Sequence, residues 1–195
     1  IIHATVLPKD GRRMSKSLGT GLDPLQLIEQ HGADAVRFGL IYQAYGGQEI
    51  RFSEDNILMG KKFANKVWNI SRYVLGKIQG QSTANLNEPP PDNPLVKKLT
   101  ATTAAVTSQL ENYKFGEAAH TLYDFIWHDF ADDYLETSKE HTDPDTLAVL
   151  MRALTTSLKL LHPFMPFVTE AIWKNLSPSE TGLPLMVETW PAISS

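Results

Sequence analysis

Four apolar residues, Phe63, Val67, Ile70 and Val74, recur at intervals of three and four. That spacing is one face of an α-helix. Ser53-Glu54-Asp55 before it is a helix start, and the pattern predicts a helix continuing to about Lys77. Upstream, residues 1–8 alternate weakly and end at Pro8, as a strand does, and Lys9-Asp10-Gly11 is a turn signal. A polar, glycine-rich loop follows to Gly21. Asp23-Pro24 starts a short helix, because Asp caps and Pro suits the first helical position, and Gly32 ends it. A second short helix is predicted from Ala33 to Ala44, with Val36, Leu40 and Ile41 on one face and Gly46-Gly47 as its stop. Glu49 to Phe52 reads as extended.

Downstream, Gln79 to Asn93 is a linker or long loop containing Pro89-Pro90-Pro91. Helices are predicted at Pro94–Tyr113, at Phe115–Glu140 and from near Pro144 to Leu161. Ala118, Leu122, Phe125, Ile126 and Tyr134 form the inner face of the second of these. Pro163 and Pro166 break the last, and helix resumes over Phe167–Leu176. Trp190-Pro191 is a packing anchor in an irregular tail. Long amphipathic helices joined by turns predict a mainly α fold, a helical bundle preceded by a small α/β segment. The first 52 residues look like the end of something else.

The chain has 195 residues and no cysteine, which excludes disulfides, cysteine-ligated zinc and thiol nucleophiles, and fits a reducing cytoplasm. No apolar run approaches the roughly 20 residues of a membrane span, so no membrane partner is expected. The opening Ile1-Ile2-His3 predicts a piece of a longer protein. The net charge is −4, yet residues 56–87 carry Lys61, Lys62, Lys66, Arg72 and Lys77 with no acid. The stretch 115–145 is strongly acidic. A confined basic stripe on an acidic protein can bind one nucleic acid in one place.

Gly11-Arg12-Arg13-Met14-Ser15-Lys16-Ser17-Leu18-Gly19 combines three cations, two hydroxyls and flanking glycines. Such a loop can turn backbone amides toward an anion and stabilise the charge that develops on a polyphosphate. Composition alone leaves open a solvated surface loop or a basophilic kinase site.

The order of these residues resembles the Lys-Met-Ser-Lys-Ser loop of class I aminoacyl-tRNA synthetases, with Arg13 in place of the first lysine. The resemblance implies an ATP-binding loop in which Lys16 is the main catalytic cation and Arg13 a supporting one, assisted by Ser15 and Ser17. Gly32-Ala33-Asp34-Ala35 with Arg37-Phe38 is similar to the family's connecting segment, which braces the catalytic domain against the inner corner of tRNA. Gly46 to Phe52 and Phe63 to Asn69 look most like the valyl branch. Leu122 to Trp127, Tyr134-Leu135-Glu136 and His162 to Phe167 with Glu170 and Trp173 are similar to its anticodon-binding bundle. The implied organisation is the end of a Rossmann-type catalytic domain at 1–22, a stem-contact segment at 23–52 and an anticodon-binding bundle at 53–195. The implied parent uses ATP, Mg²⁺ and valine, and binds tRNA. The family's His-Ile-Gly-His type motif, its amino-acid pocket and its editing domain are not in this sequence. The chain by itself is therefore expected to activate no amino acid, to hold no cofactor, and to need no protein partner.

Asn65, Asn69, Arg72 and Tyr73 share one side of the predicted helix. Two amides, a guanidinium and an aromatic ring are what unpaired RNA bases are read with. The resemblance implies that Arg72 and Tyr73 approach the anticodon, the aromatic by stacking. Asp55 stands where some relatives carry a basic residue. A polar helix face with Tyr73 half-buried is the alternative reading. His120, Asp124 and His128 have zinc-compatible spacing, and Asp129, Asp132, Asp133 and Glu136 could pass for a calcium cluster. Neither carries a metal motif, and no metal site is predicted. Trp127 and Trp173 read as core. The competing functions are an isoleucyl or leucyl synthetase fragment, or a non-catalytic RNA-binding or assembly module.

Overall fold

The computed structural model describes residues 5–8, 11, 14, 21–44, 49–78, 88–176 and 183–192. Strand β1 (Thr5–Leu7) pairs in parallel with β2 (Glu49–Arg51), Val6 opposite Ile50. Between them lie α1 (Pro24–His31) and α2 (Ala33–Gln43). The Asp23 carboxylate accepts from the Leu25 amide at 2.9 Å, and Gly32 turns the chain out of α1 at φ 89°. Both features follow from the sequence. In α2 the buried residues are Asp34, Ala35, Val36, Phe38 and Gly39, whereas Leu40 and Ile41 are only half-buried. The inner face is thus rotated from the predicted one toward Phe38, which is fully enclosed in the bundle core.

Helix α3 (Glu54–Ile78) buries the predicted stripe Phe63, Val67, Ile70 and Val74. It crosses α2 at very short range, and two glycines permit this. A Cβ on Gly39 would lie 2.6 Å from the Asn56 carbonyl oxygen, and one on Gly60 would lie 2.7 Å from that of Ala35. Helix α4 (Pro94–Glu111) is capped by Asn93, whose side chain accepts from the Leu95 and Val96 amides. It ends two residues before the predicted Tyr113, which closes the turn at φ 59°.

The helix predicted at Phe115–Glu140 is not one α-helix. Helix α5 (Phe115–Asp124) passes into a π-helix over Phe125–Leu135, and a 3₁₀ turn follows at Ser138–Glu140. The physical reason is visible in the buried residues. Phe125, Phe130 and Leu135 are five apart, as are Ile126 and Ala131, and all five face the core. A spacing of five matches i→i+5 bonding and would drift around an α-helix. Tyr134 is half-buried rather than internal.

Helices α6 (Pro144–Leu161) and α7 (Pro166–Trp173) complete the bundle. The tail is pinned where Trp190 Nε1 donates to Thr107 Oγ1 at 2.9 Å. Trp127 and Trp173 pack half-buried against the core. Among the described residues, no helix is long and apolar enough to cross a membrane.

Candidate nucleic-acid interface

Arg13, Ser15, Lys16 and Ser17, the predicted phosphate loop, lie outside the described residues, as do Gly46 and Gly47. What is described is the way into the loop. Gly11 takes φ 74° and its amide donates to the Pro8 carbonyl at 2.9 Å, which turns the chain off β1. The parallel pairing sets Arg51 of β2 beside this turn, with its Nη2 3.9 Å from where a Gly11 Cβ would stand. Sequence reasoning did not assign Arg51 a place here, because strand pairing over more than forty residues leaves no local pattern.

Helix α3 presents the predicted RNA-reading residues unequally. Asn65, Asn69 and Arg72 are exposed, whereas Tyr73 is half-buried. The Tyr73 hydroxyl is buried and meets no hydrogen-bond partner among the described residues. Lys77 lies over its ring, 5.6 Å from the centroid. The same ammonium donates to the Ser138 and His141 carbonyls and so closes the 3₁₀ turn around the helix end. Arg72 and Tyr73 are adjacent in sequence but about 100° apart around the helix. Arg72 turns instead toward α7. There it lines a hollow of about 530 Å³ with Trp68, Leu75, Ile172 and Asn175. Asn65 lines a second hollow of about 320 Å³ with Lys61, Asp34 and Phe167. Trp68 is 39% exposed. Sequence reasoning gave it no role, although its spacing to Arg72 was readable.

The basic stripe is also divided. Lys66 donates to Asp132 at 2.8 Å and sits 5.2 Å above the Trp127 ring. That hydrogen bond from Lys66 holds the Asp132 carboxyl below the usual carboxylate range. Lys77 is tied to the 3₁₀ turn. Among the described residues no ion pair holds Arg72 or Lys62. The acidic stretch is largely structural. Asp129 pairs with Lys98, Glu136 with Lys139, Glu117 with Lys114, and Asp143 caps α6 through the Thr146 amide. His120 donates Nε2–H to the Tyr42 carbonyl at 3.0 Å and stacks on the Tyr42 ring at 3.6 Å. It serves the α2–α5 contact. Asp55 is exposed in the first turn of α3, where a carboxylate complements the helix dipole.

A clamp holds this interface to the preceding segment. Asp34, buried in α2, accepts from the Phe167 and Val168 amides of α7 at 3.2 and 2.6 Å. Arg37, one turn on, donates to the Phe164 and Pro163 carbonyls at 3.3 and 2.9 Å. The two stretches singled out by resemblance, around Asp34 and around Pro163, are therefore partners in space. Beneath them Thr169 Oγ1 donates to the Met165 carbonyl at 2.7 Å. His162 Nδ1–H is left to donate to that hydroxyl at 2.8 Å. Burial pushes the His162 pKa down, against the raising influence of Glu170 and Asp34.

Two family models match separate parts of the chain. Residues 92–195 match a family described as the anticodon-binding domain of tRNA ligase. Residues 1–53 match tRNA synthetases class I (I, L, M and V). A valine–tRNA ligase of Listeria innocua is 42% identical over 100% of this chain. One of Geobacillus stearothermophilus is 41% identical over 99% of it. The chain spans 23% of the length of each. A LeuRS of Agrobacterium radiobacter K84, solved as a ternary complex with tRNA and LeuAMS, superposes with a TM-score of 0.79 at 23% identity. It covers 98% of this chain, which spans 23% of that one, and at such identity the likeness is one of fold alone.

Proposed function

The chain belongs to the anticodon-binding-domain family of tRNA ligases, and from that premise we propose that it is the tRNA-contacting part of a valine–tRNA ligase. One observation carries the choice of amino acid. Identity to valine–tRNA ligases reaches 42% and extends over the whole chain. In this reading residues 1–22 close the catalytic domain, 23–52 connect, and 53–195 read the anticodon. The parent would attach valine to its tRNA in the cytoplasm, with ATP supplied as its Mg²⁺ complex. No residue of this chain is assigned to the Mg²⁺.

Two regions would divide the work. Lys16, with Arg13, Ser15 and Ser17, would neutralise the ATP phosphates as pyrophosphate leaves. Asn65 and Asn69 would bond base edges, and Arg72 a phosphate or base. Tyr73 would offer the accessible part of its ring. The exposure of Asn65, Asn69 and Arg72 on one side of α3 supports this division.

Charging by the full-length protein tests the proposal. Valine is expected to be accepted well above isoleucine and leucine, and preferred charging of either competitor would reassign the branch. This chain alone is expected to give no valine-dependent ATP–pyrophosphate exchange, and turnover by it would contradict the assigned division.

A further inference from the structure

The hollow between α3 and α7 has an aromatic wall. Trp68 follows buried Val67, yet the residue stays 39% exposed. It forms one wall of the 530 Å³ hollow between α3 and α7, a size within the roughly 300–1,000 Å³ of small-ligand sites. Arg72 stands one helical turn further along the same wall. Leu75 and Ile172 add apolar lining, and Asn175 lines the α7 side beside Ile172. The Asn175 amide Nδ2 donates to the Ala171 carbonyl at 2.7 Å, which leaves its Oδ1 to accept from a ligand. A Cβ on Gly76 would meet nothing within 4 Å, so this end of the hollow is open.

Among the described residues of the two helices that line it, no carboxylate faces the hollow. Helix α3 holds no acid between residues 56 and 78. The single acid of α7, Glu170, has Oε2 accepting from the Leu185 amide and Oε1 buried, so it is turned away. Lys174 approaches Glu170 Oε1 at 4.0 Å, and Arg72 remains as the cation that lines the hollow. One aromatic face, one guanidinium and one amide are the equipment for a single nucleotide. A docked helix would instead need a row of apolar anchors.

We propose that this hollow takes one unpaired nucleotide of the bound tRNA, its base stacked on the Trp68 indole, its phosphate on Arg72 and a base amino group on Asn175 Oδ1. The proposal rests on the tRNA-binding reading above and sharpens it. The principal stacking ring becomes Trp68, because Tyr73 has its hydroxyl buried and Lys77 over its ring.

The test uses this chain and a valine tRNA transcript. Trp68→Ala is expected to weaken binding about 10-fold or more, the range of a lost base–aromatic stack, whereas Trp68→Phe retains most of the affinity. The deciding measurement is a cycle with tRNAs made abasic at each unpaired anticodon-loop nucleotide in turn. At one position the abasic tRNA should bind wild type and Trp68→Ala equally, an effect that a merely destabilised fold cannot produce. Binding by Trp68→Ala within twofold of wild type would overturn the proposal, and so would a loss of the same size with every abasic tRNA. If Arg72→Ala weakens binding and Trp68→Ala does not, the tRNA reading stands and the hollow falls. If the unaltered chain binds the valine tRNA no better than an unrelated RNA hairpin, both fall.

Discussion

Replacing Asp34 by alanine should loosen the joint between the connecting segment and the bundle. The residue is 8% exposed, and its carboxylate accepts two backbone N–H groups from the first turn of α7. Hydrogen bonds to a charged group contribute about 1.5–3 kcal/mol each, and a carboxylate at a helix N-terminus adds about 0.3–1 kcal/mol. One anion serves both bonds and gives up hydration to do so, so these figures do not simply add. The net loss expected for Asp34→Ala is about 3 kcal/mol. For a chain of this size that lowers Tm by roughly 6–12 °C. Asp34→Asn keeps one acceptor oxygen and should lose about half as much. Circular dichroism melts and urea titrations at 222 nm measure both. Arg37→Ala removes the partner bonds to Pro163 and Phe164, so the double variant should lose less than the two singles together. A loss below about 0.5 kcal/mol for Asp34→Ala would refute the clamp as a stabilising contact.

Gly60→Ala places a methyl 2.7 Å from the Ala35 carbonyl oxygen, so α2 and α3 must move apart. The shift costs about 1–3 kcal/mol and outweighs alanine's helix preference, which chemical denaturation would show. His162 titrates lower folded than unfolded, so its contribution is complete above about pH 6.5 and is lost as the pH falls below that value. Urea titrations at pH 7.5 and 5.5 should show this loss, and His162→Gln should reduce it. Trp190→Phe removes the bond to Thr107 and should cost about 1 kcal/mol, with faster amide exchange in residues 183–192.

The bundle was legible because its core repeats near 3.6 residues. Phe63, Val67, Ile70 and Val74 were identified by spacing alone, and Asp23, Pro24 and Gly32 marked α1 by their backbone chemistry. The π-helix was not read, although Phe125, Phe130 and Leu135 announce it by steps of five, because an α-helical template absorbs such residues with small errors. The parallel β1–β2 pair and the Asp34 clamp depend on partners more than forty and more than one hundred positions away. Local pattern carries no trace of such pairings. On the candidate site, Asn65, Asn69 and Arg72 proved exposed as expected. Tyr73 is half-buried and Trp68 is exposed, because helical spacing names a face but does not say which aromatic on it the neighbouring helices cover.

The central claim is that α3 of this chain presents an anticodon-reading face. The most direct measurement is the affinity of this chain for valine tRNA transcripts that differ only in the anticodon, repeated with Arg72→Ala. The expected result is tightest binding to the valine anticodon, and in the variant weaker binding with a salt dependence shallower by about one phosphate contact. Equal affinity for every anticodon, or an affinity and salt dependence unchanged by Arg72→Ala, would contradict it.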